Sequence, residues 1–260
     1  MLKLEEILKH YPNSLAGKEE MILKEYLQHK ILHYIFTHKY WNNLFFIWWT
    51  CLRVVYGSLR FSEDIDLDAT RITFQQFMEM LNFVKTMLEK ENFKVETVLK
   101  EKDVFHCNIK FPGLLYQYNL SPHKEEKIWI KVDIADQNIN YTPQKINLNK
   151  FNIQTTVQTA PLDILYAQKI YTAFNRKRLK GRDFYDIVFL SKKVNKPNYL
   201  FLKQKIWINN PSDLKQWIFD KIKERKVDFE ELQKDVQDFL FDPNDKTVLN
   251  FPKIVKSISF

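Results

Sequence analysis

The stretch Arg60–Asp68, RFSEDIDLD, limits the fold more tightly than any other part of the chain. Side chains alternate across a β-strand with period two. Read as a strand, this stretch sends Phe61, Ile65 and Leu67 to one face and Ser62, Asp64, Asp66 and Asp68 to the other. The apolar face needs a core, and the acidic face needs solvent or a compensating cation. Acidic residues are depleted in strands, so three at one parity call for a chemical reason. The plain alternative is a solvated strand face.

The surrounding periodicities give this strand its setting. KEEMILKEYLQHKILHYIF reads as an amphipathic helix with Leu23, Leu27, Ile31 and Ile35 near one face. TCLRVVYG reads as a short helix ended by Gly57. TFQQFMEMLNFVKTMLEK has Phe74, Phe77, Met78, Leu81, Val84 and Leu88 at helical core spacing. Strands are expected in FKVETVLK, VFHCNIKFP and KIWIKVDIAD. The last sets Ile128, Ile130, Val132 and Ile134 against Trp129, Lys131 and Asp133. The polar, Asn-rich run QNINYTPQKINLNKFNIQTTVQTA reads as a connecting segment with a short strand. From PLDILYAQKI onward the chain reads as helical, with Pro161 in a first turn. Short links between consecutive strands imply an antiparallel or mixed sheet. The expected class is α/β (α+β): a mixed sheet flanked by helices over residues 1–155, then a mostly helical region over 156–260.

Composition excludes several alternatives. Hydrophobic residues are 45% and aromatics 15% of the chain, too many for an intrinsically disordered protein. Cys51 and Cys107 lie far apart, which fits buried thiols in a reducing compartment. No signal-peptide pattern opens the sequence. The most apolar patch, LFFIWWTCLRVVY, is too short and too polar to span a bilayer. A cytoplasmic protein without a membrane partner is expected. The net charge of +8 and pI near 9.2 suit nucleic acid or nucleotide phosphates. An AT-rich coding bias toward Lys, Asn, Ile and Phe explains them equally well.

Asp64 and Asp66 stand two residues apart, about 6.6–7 Å along a strand. Carboxylates this close disfavour each other's ionisation unless a cation lies between them. Few protein oxygens completed by substrate phosphates suit Mg²⁺. Two such ions about 3.5–4 Å apart can activate an attacking oxygen and stabilise a leaving pyrophosphate. Asp133, opposite the apolar parity of its strand, is the candidate third carboxylate, with Asp136 as second choice. Asp68 reads as a solvated strand end. Further on, Leu162, Leu165, Lys169 and Ala173 share a helix face, so Lys169 either meets a counter-charge such as a triphosphate or snorkels from a packing edge. KGRDFYD places Gly181 at a chain reversal before Arg182, Asp183 and Asp186. The two acids share a face, and Asp183 is equally suited to capping a helix start. The basic run Asn175–Arg182 either meets RNA phosphates or serves as a soluble connector.

Together, KEYLQHKIL, WWTCLRVVYGSLRFSEDIDLD, IKVDIAD, PLDILYAQKIYTAFNRKRLKGRDFYDIVFL and DFEELQKDVQDFLFD resemble the AbiEii/AbiGii-type nucleotidyltransferase toxins, within the DNA-polymerase-β-like nucleotidyltransferase superfamily. The resemblance implies transfer of a nucleotide from an NTP with release of pyrophosphate. It also implies toxin activity in phage defence, an RNA acceptor such as tRNA, and a separate antitoxin. Carried over by position, it makes Asp64, Asp66 and Asp133 metal ligands for Mg²⁺, two ions when active. Lys169 becomes a phosphate contact, and Asp183 the functional acid of the second motif with Asp186. Thr50 and Arg182 are nucleotide-binding candidates. One departure stands out: the family's Gly-Gly-Thr turn is Trp48-Trp49-Thr50 here. Either the turn keeps its path and transfer persists, or an indole alters or blocks the pocket, or the chain is a pseudoenzyme that binds nucleotide, RNA or protein.

Overall fold

Alternating sequence becomes a seven-stranded sheet among the described residues: β1 (Leu44–Ile47), β2 (Ile65–Ala69), β3 (Glu96–Lys100), β4 (Phe105–Pro112), β5 (Lys127–Ala135), β6 (Gln144–Lys150) and β7 (Ile153–Thr159). The computed structural model describes residues 1–101, 104–136 and 141–260. Residues 137–140, which open the expected connecting segment, lie outside that range. The strand order is β3-β4-β5-β2-β1-β7-β6. β2 runs parallel to β5 and β1 parallel to β7, and the other neighbours are antiparallel. The sheet is therefore mixed, and the fold is α/β.

By its contacts the chain forms two units, residues 1–57 with 61–159 and residues 58–60 with 160–260. The first holds the sheet with α1 (Leu4–Leu8), α2 (Glu19–Thr37), α3 (Trp48–Val54), α4 (Phe74–Lys90) and α5 (Leu114–Gln117). α2 packs on β7 and α4, and its Leu23, Leu27, Ile31 and Ile35 are fully buried. α4 starts with Thr73, whose hydroxyl accepts from the Gln76 N–H while the Gln76 side chain bonds back. That reciprocal cap fixes the helix start. In its core Met80 takes the place expected for Met78, which is half-buried.

Three sequence expectations for this unit need correction. β2 begins only at Ile65, so Ser62, Glu63 and Asp64 precede the strand. The Asn-rich segment contains not one short strand but the hairpin β6–β7, turned by Phe151 and Asn152, both with left-handed φ. Its alternation is carried by half-buried Ile146, buried Leu148, and Ile153, Thr155 and Val157. Asp68 is 3% exposed and accepts a hydrogen bond from the Tyr141 hydroxyl, so it is no solvated strand end.

The second unit is helical: α6 (Leu162–Asn175), α7 (Gly181–Ser191), α8 (Tyr199–Ile206), α9 (Pro211–Glu224), α10 (Phe229–Gln237) and α11 (Phe251–Ser257). Pro161 caps α6 and lies just outside its first turn. Arg60 joins this unit through a bridge to Leu240. Gly181 is the first residue of α7, not a chain reversal. A Cβ there would meet the Leu232 carbonyl oxygen at 1.9 Å. The glycine lets α7 approach the backbone of α10 closely.

Buried polar groups tie α2 to the sheet. Glu25 accepts from Arg53 at 2.8 Å and from Lys150 at 2.8 Å. His29, one turn on, is 4% exposed and stacks edge-on against Phe151 at 5.1 Å. Burial pushes the His29 imidazole down to about 4, despite the opposing pull of Glu25. In the unfolded chain the group titrates near 6.5, so between those values the unfolded state binds the extra proton. Its contribution is whole above about pH 6.5 and is lost as pH falls toward 4. Thermal melts are expected to show a loss of about 2 kcal/mol from this group between pH 7 and pH 5. His29→Leu should flatten that slope. An unchanged slope in the variant would place the acid sensitivity elsewhere.

Candidate active site

Strand register assembles the acidic site. β1–β2 pairs Ile47 with Asp66, β2–β5 pairs Asp66 with Asp133, and β5–β4 pairs Asp133 with His106. The row Asp66–Asp133–His106 thus crosses three adjacent strands at one level of the sheet. Directly opposed residues of neighbouring strands project from the same face. Asp66 and Asp64 are both half-buried, with Asp64 just before β2. Ile47, Trp48, Asp66, His106 and Asp133 line a cavity of about 120 Å³.

Asp133 is held at both oxygens. His106 Nδ1 lies 2.7 Å from Oδ1, and Lys131 Nζ donates to Oδ2 at 2.5 Å. Burial depresses the Lys131 ammonium, but the hydrogen bond to Asp133 and the charges of Asp133, Asp64 and Asp66 outweigh it and leave the group raised. The three aspartates expected to act together therefore all act on one ammonium. Lys131 and His106 are the residues that sequence reasoning missed. Lys131 had a signal, because it shares the face of Asp133 at two-residue spacing. His106 had none, since its place depends on the β4–β5 register.

A metal is tested by this donor set. Carboxylate oxygens at Asp64, Asp66 and Asp133 suit a hard cation such as Mg²⁺, and Lys131 shows that the site holds positive charge. No set of three His, Cys, Asp or Glu side chains forms a metal cage among the described residues. Asp64 and Asp66 offer the oxygen donors that such an ion takes. Asp133 fits once it exchanges Lys131 for the ion. Asp136 is exposed, beyond the end of β5.

Thr50 and Trp48 shape the rim. Thr50 is fully buried in the first turns of α3. Its hydroxyl lies 2.7 Å from the Ser62 hydroxyl and donates to the Asp64 carbonyl oxygen. That contact fastens the helix start to the segment carrying Asp64. Trp48 forms the turn from β1 into α3 with φ of 59°, the left-handed region that glycine adopts freely. The turn keeps a glycine-type path although the residue is tryptophan.

In the second unit the Lys and Arg-Asp-x-x-Asp elements form a closed ion network. Lys169 Nζ lies 3.2 Å from Asp183 Oδ1 and 3.1 Å from Asp186 Oδ2. Arg60 grips Asp186 with two bonds of 2.8 and 2.7 Å, and Arg176 reaches Asp183 at 2.8 Å. Lys169, Asp183, Asp186 and Arg60 are each at most 2% exposed. Low dielectric strengthens such pairs, and losing one partner strands the other. Arg182 stacks over the Phe239 ring at 4.4 Å. Asp183 also sits in the first turn of α7, where a carboxylate favours the exposed N–H groups.

The left-handed turn gives a measurable cost. An L-residue there is disfavoured by roughly 1–2 kcal/mol. Trp48→Gly and Trp48→Ala both lose the indole, so their difference isolates the backbone. Trp48→Gly is expected to be the more stable by about 1 kcal/mol in chemical denaturation. At Trp49, with an ordinary helical backbone, Ala should win by a similar margin. If Ala wins at both positions, the left-handed turn is not what the chain adopts.

The family model described as nucleotidyl transferase AbiEii toxin of type IV toxin–antitoxin systems matches residues 50–255, starting directly after the two tryptophans. Among solved structures the chain is similar to an H. pylori protein described as a candidate nucleotidyltransferase. Its TM-score is 0.61 at 18% identity, over 93% of this chain and 95% of that one. It is also similar to JHP933 from Helicobacter pylori, with TM-score 0.53 and 18% identity, over 93% and 92%. At that identity the likeness speaks for the fold. No curated protein sequence matches the chain. A sequence match over most of the chain, on a fold shared with those structures, shows that this protein belongs to the AbiEii nucleotidyltransferase toxin family of type IV toxin–antitoxin systems.

Proposed function

We propose that this protein is a Mg²⁺-dependent nucleotidyltransferase that moves a nucleotide from an NTP to an RNA acceptor, with tRNA as the acceptor of first choice. The observation that carries this reading is the level placement of Asp66 and Asp133 on adjacent parallel strands, with Asp64 two residues before Asp66. Asp64 and Asp66 would hold the metal, with Asp133 as a third ligand in place of its bond to Lys131. Bound there, the ion supplies charge stabilisation for the attacking and leaving oxygens. Thr50 acts through the backbone, fixing Asp64 beside Asp66. The cavity beside Asp66 and Asp133 is where the ion and a phosphoryl group would sit. Lys169 reaches a phosphate only on leaving Asp183 and Asp186, so in this reading its first task is to order those acids. An antitoxin partner follows from the family.

A second reading, a pseudoenzyme that binds nucleotide or RNA, is favoured by the Lys131–Asp133 ion pair, which sets an ammonium where a cation would act. Labelled NTP, Mg²⁺ and total tRNA separate the two. Wild type is expected to label RNA, and Asp66→Ala to fall roughly 10²-fold or more, several kcal/mol of lost charge stabilisation. Expression of the wild type should slow growth and Asp66→Ala should relieve it. Calorimetric binding of Mg²⁺·NTP without transfer would favour the pseudoenzyme, and neither transfer nor binding would sink both.

A further inference from the structure

α8 and the segments beside it carry a surface that the acidic site does not explain. From Lys192 to Asn210 the sequence contains Lys192, Lys193, Lys196, Lys203 and Lys205 and no acidic residue. All five lysines are exposed, and no salt bridge with a carboxylate involves them among the described residues. Leu200 is 75% exposed and Trp207 87% exposed. Leu200 stands in the first turn of α8, and Trp207 is the residue that follows its last turn. Lys203 lies between them. Trp207 ends the helix with φ of 62°, a left-handed conformation uncommon for a bulky residue. That turn leaves the indole in solvent.

A groove of about 670 Å³ lies beside α8, lined by Lys196, Lys203, Asn195, Asn209 and Leu200, with Asp163 at its wall. Its size falls in the range of small-molecule sites. Ammonium groups meet phosphates, side-chain amides meet base edges, and an exposed indole offers a stacking platform. Two exposed apolar side chains on an eight-residue helix are too little to seat in a bilayer.

We infer that α8 and its flanking groove form a docking surface for single-stranded RNA, with Trp207 stacking on a base and Lys196 and Lys203 meeting successive phosphates. The inference rests on the proposed function only in taking RNA as the natural partner. Binding is read without NTP or Mg²⁺, so it can fail or stand independently of transfer.

The test uses the full chain and a fluorescein-labelled single-stranded RNA, read by anisotropy over a salt series. Trp207→Ala is expected to weaken binding roughly 5-fold or more, the loss of one stacked base. Lys196→Gln/Lys203→Gln is expected to lower the slope of log K against log salt by about 1.4, at ~0.7 for each phosphate contact. Both variants change exposed side chains, and matching thermal melts confirm an intact fold. Unchanged affinity and slope in both variants would overturn the assignment. So would equal loss on a duplex RNA that offers no unstacked base, or binding only to vesicles of anionic lipid or to an acidic polypeptide.

Discussion

Asp66 and Asp133 face each other across β2 and β5, and two carboxylates in that register repel unless positive charge lies beside them. Much of the first unit follows from meeting this requirement. Ile65, Leu67, Val132 and Ile134 are buried on the other face, so neither strand can slip by one residue without burying its acids. Lys131 shares the face of Asp133 and neutralises it from within the same strand. His106 takes the remaining oxygen from β4. The acids are held in place by the core behind them and kept together by the cations among them.

The same logic explains how a tryptophan occupies a glycine's turn. On one side of Trp48, Ile47 is fixed by its pairing with Asp66. On the other, Thr50 is fastened to Ser62 and Asp64. The turn between two such anchors is over-determined, and a left-handed residue persists where the surroundings compensate for its strain. Backbone path is therefore set by register and by one buried hydroxyl, while residue 48 determines how much strain the turn carries and what projects beside the acids.

Much of this was legible in the sequence. Strand alternation gave β5 and the buried parity around Asp64 and Asp66, and helical spacing gave α2 and α4. The β6–β7 hairpin was not legible, because its outward positions are Asn, Gln and Thr, which read as loop. Asp68 was misread because its partner Tyr141 lies 73 positions away, beyond any local pattern. Lys131 could have been found, since an ammonium two residues from a carboxylate on one face is a local signal. Arg60 could not. It looks like part of the acidic strand, yet it turns to Asp186, 126 positions on.

The two acidic motifs end in opposite electrostatic conditions. In the second unit Asp183 and Asp186 are met by Arg60, Lys169 and Arg176, and the core members of that network are buried. These cations meet the two acids within the protein, and burial makes the network a rigid support. At the sheet, Asp64, Asp66 and Asp133 all act on the ammonium of Lys131, beside a cavity lined by Asp66 and Asp133. A divalent ion brings twice the charge of that ammonium and accepts several oxygens at once. In the proposed reading such an ion would replace Lys131 and still compensate the acids. The proposed cation chemistry at Asp64, Asp66 and Asp133 rests on this contrast, while the ion pairs of the Arg-Asp-x-x-Asp helix bind Arg60, Lys169 and Arg176 within its own unit.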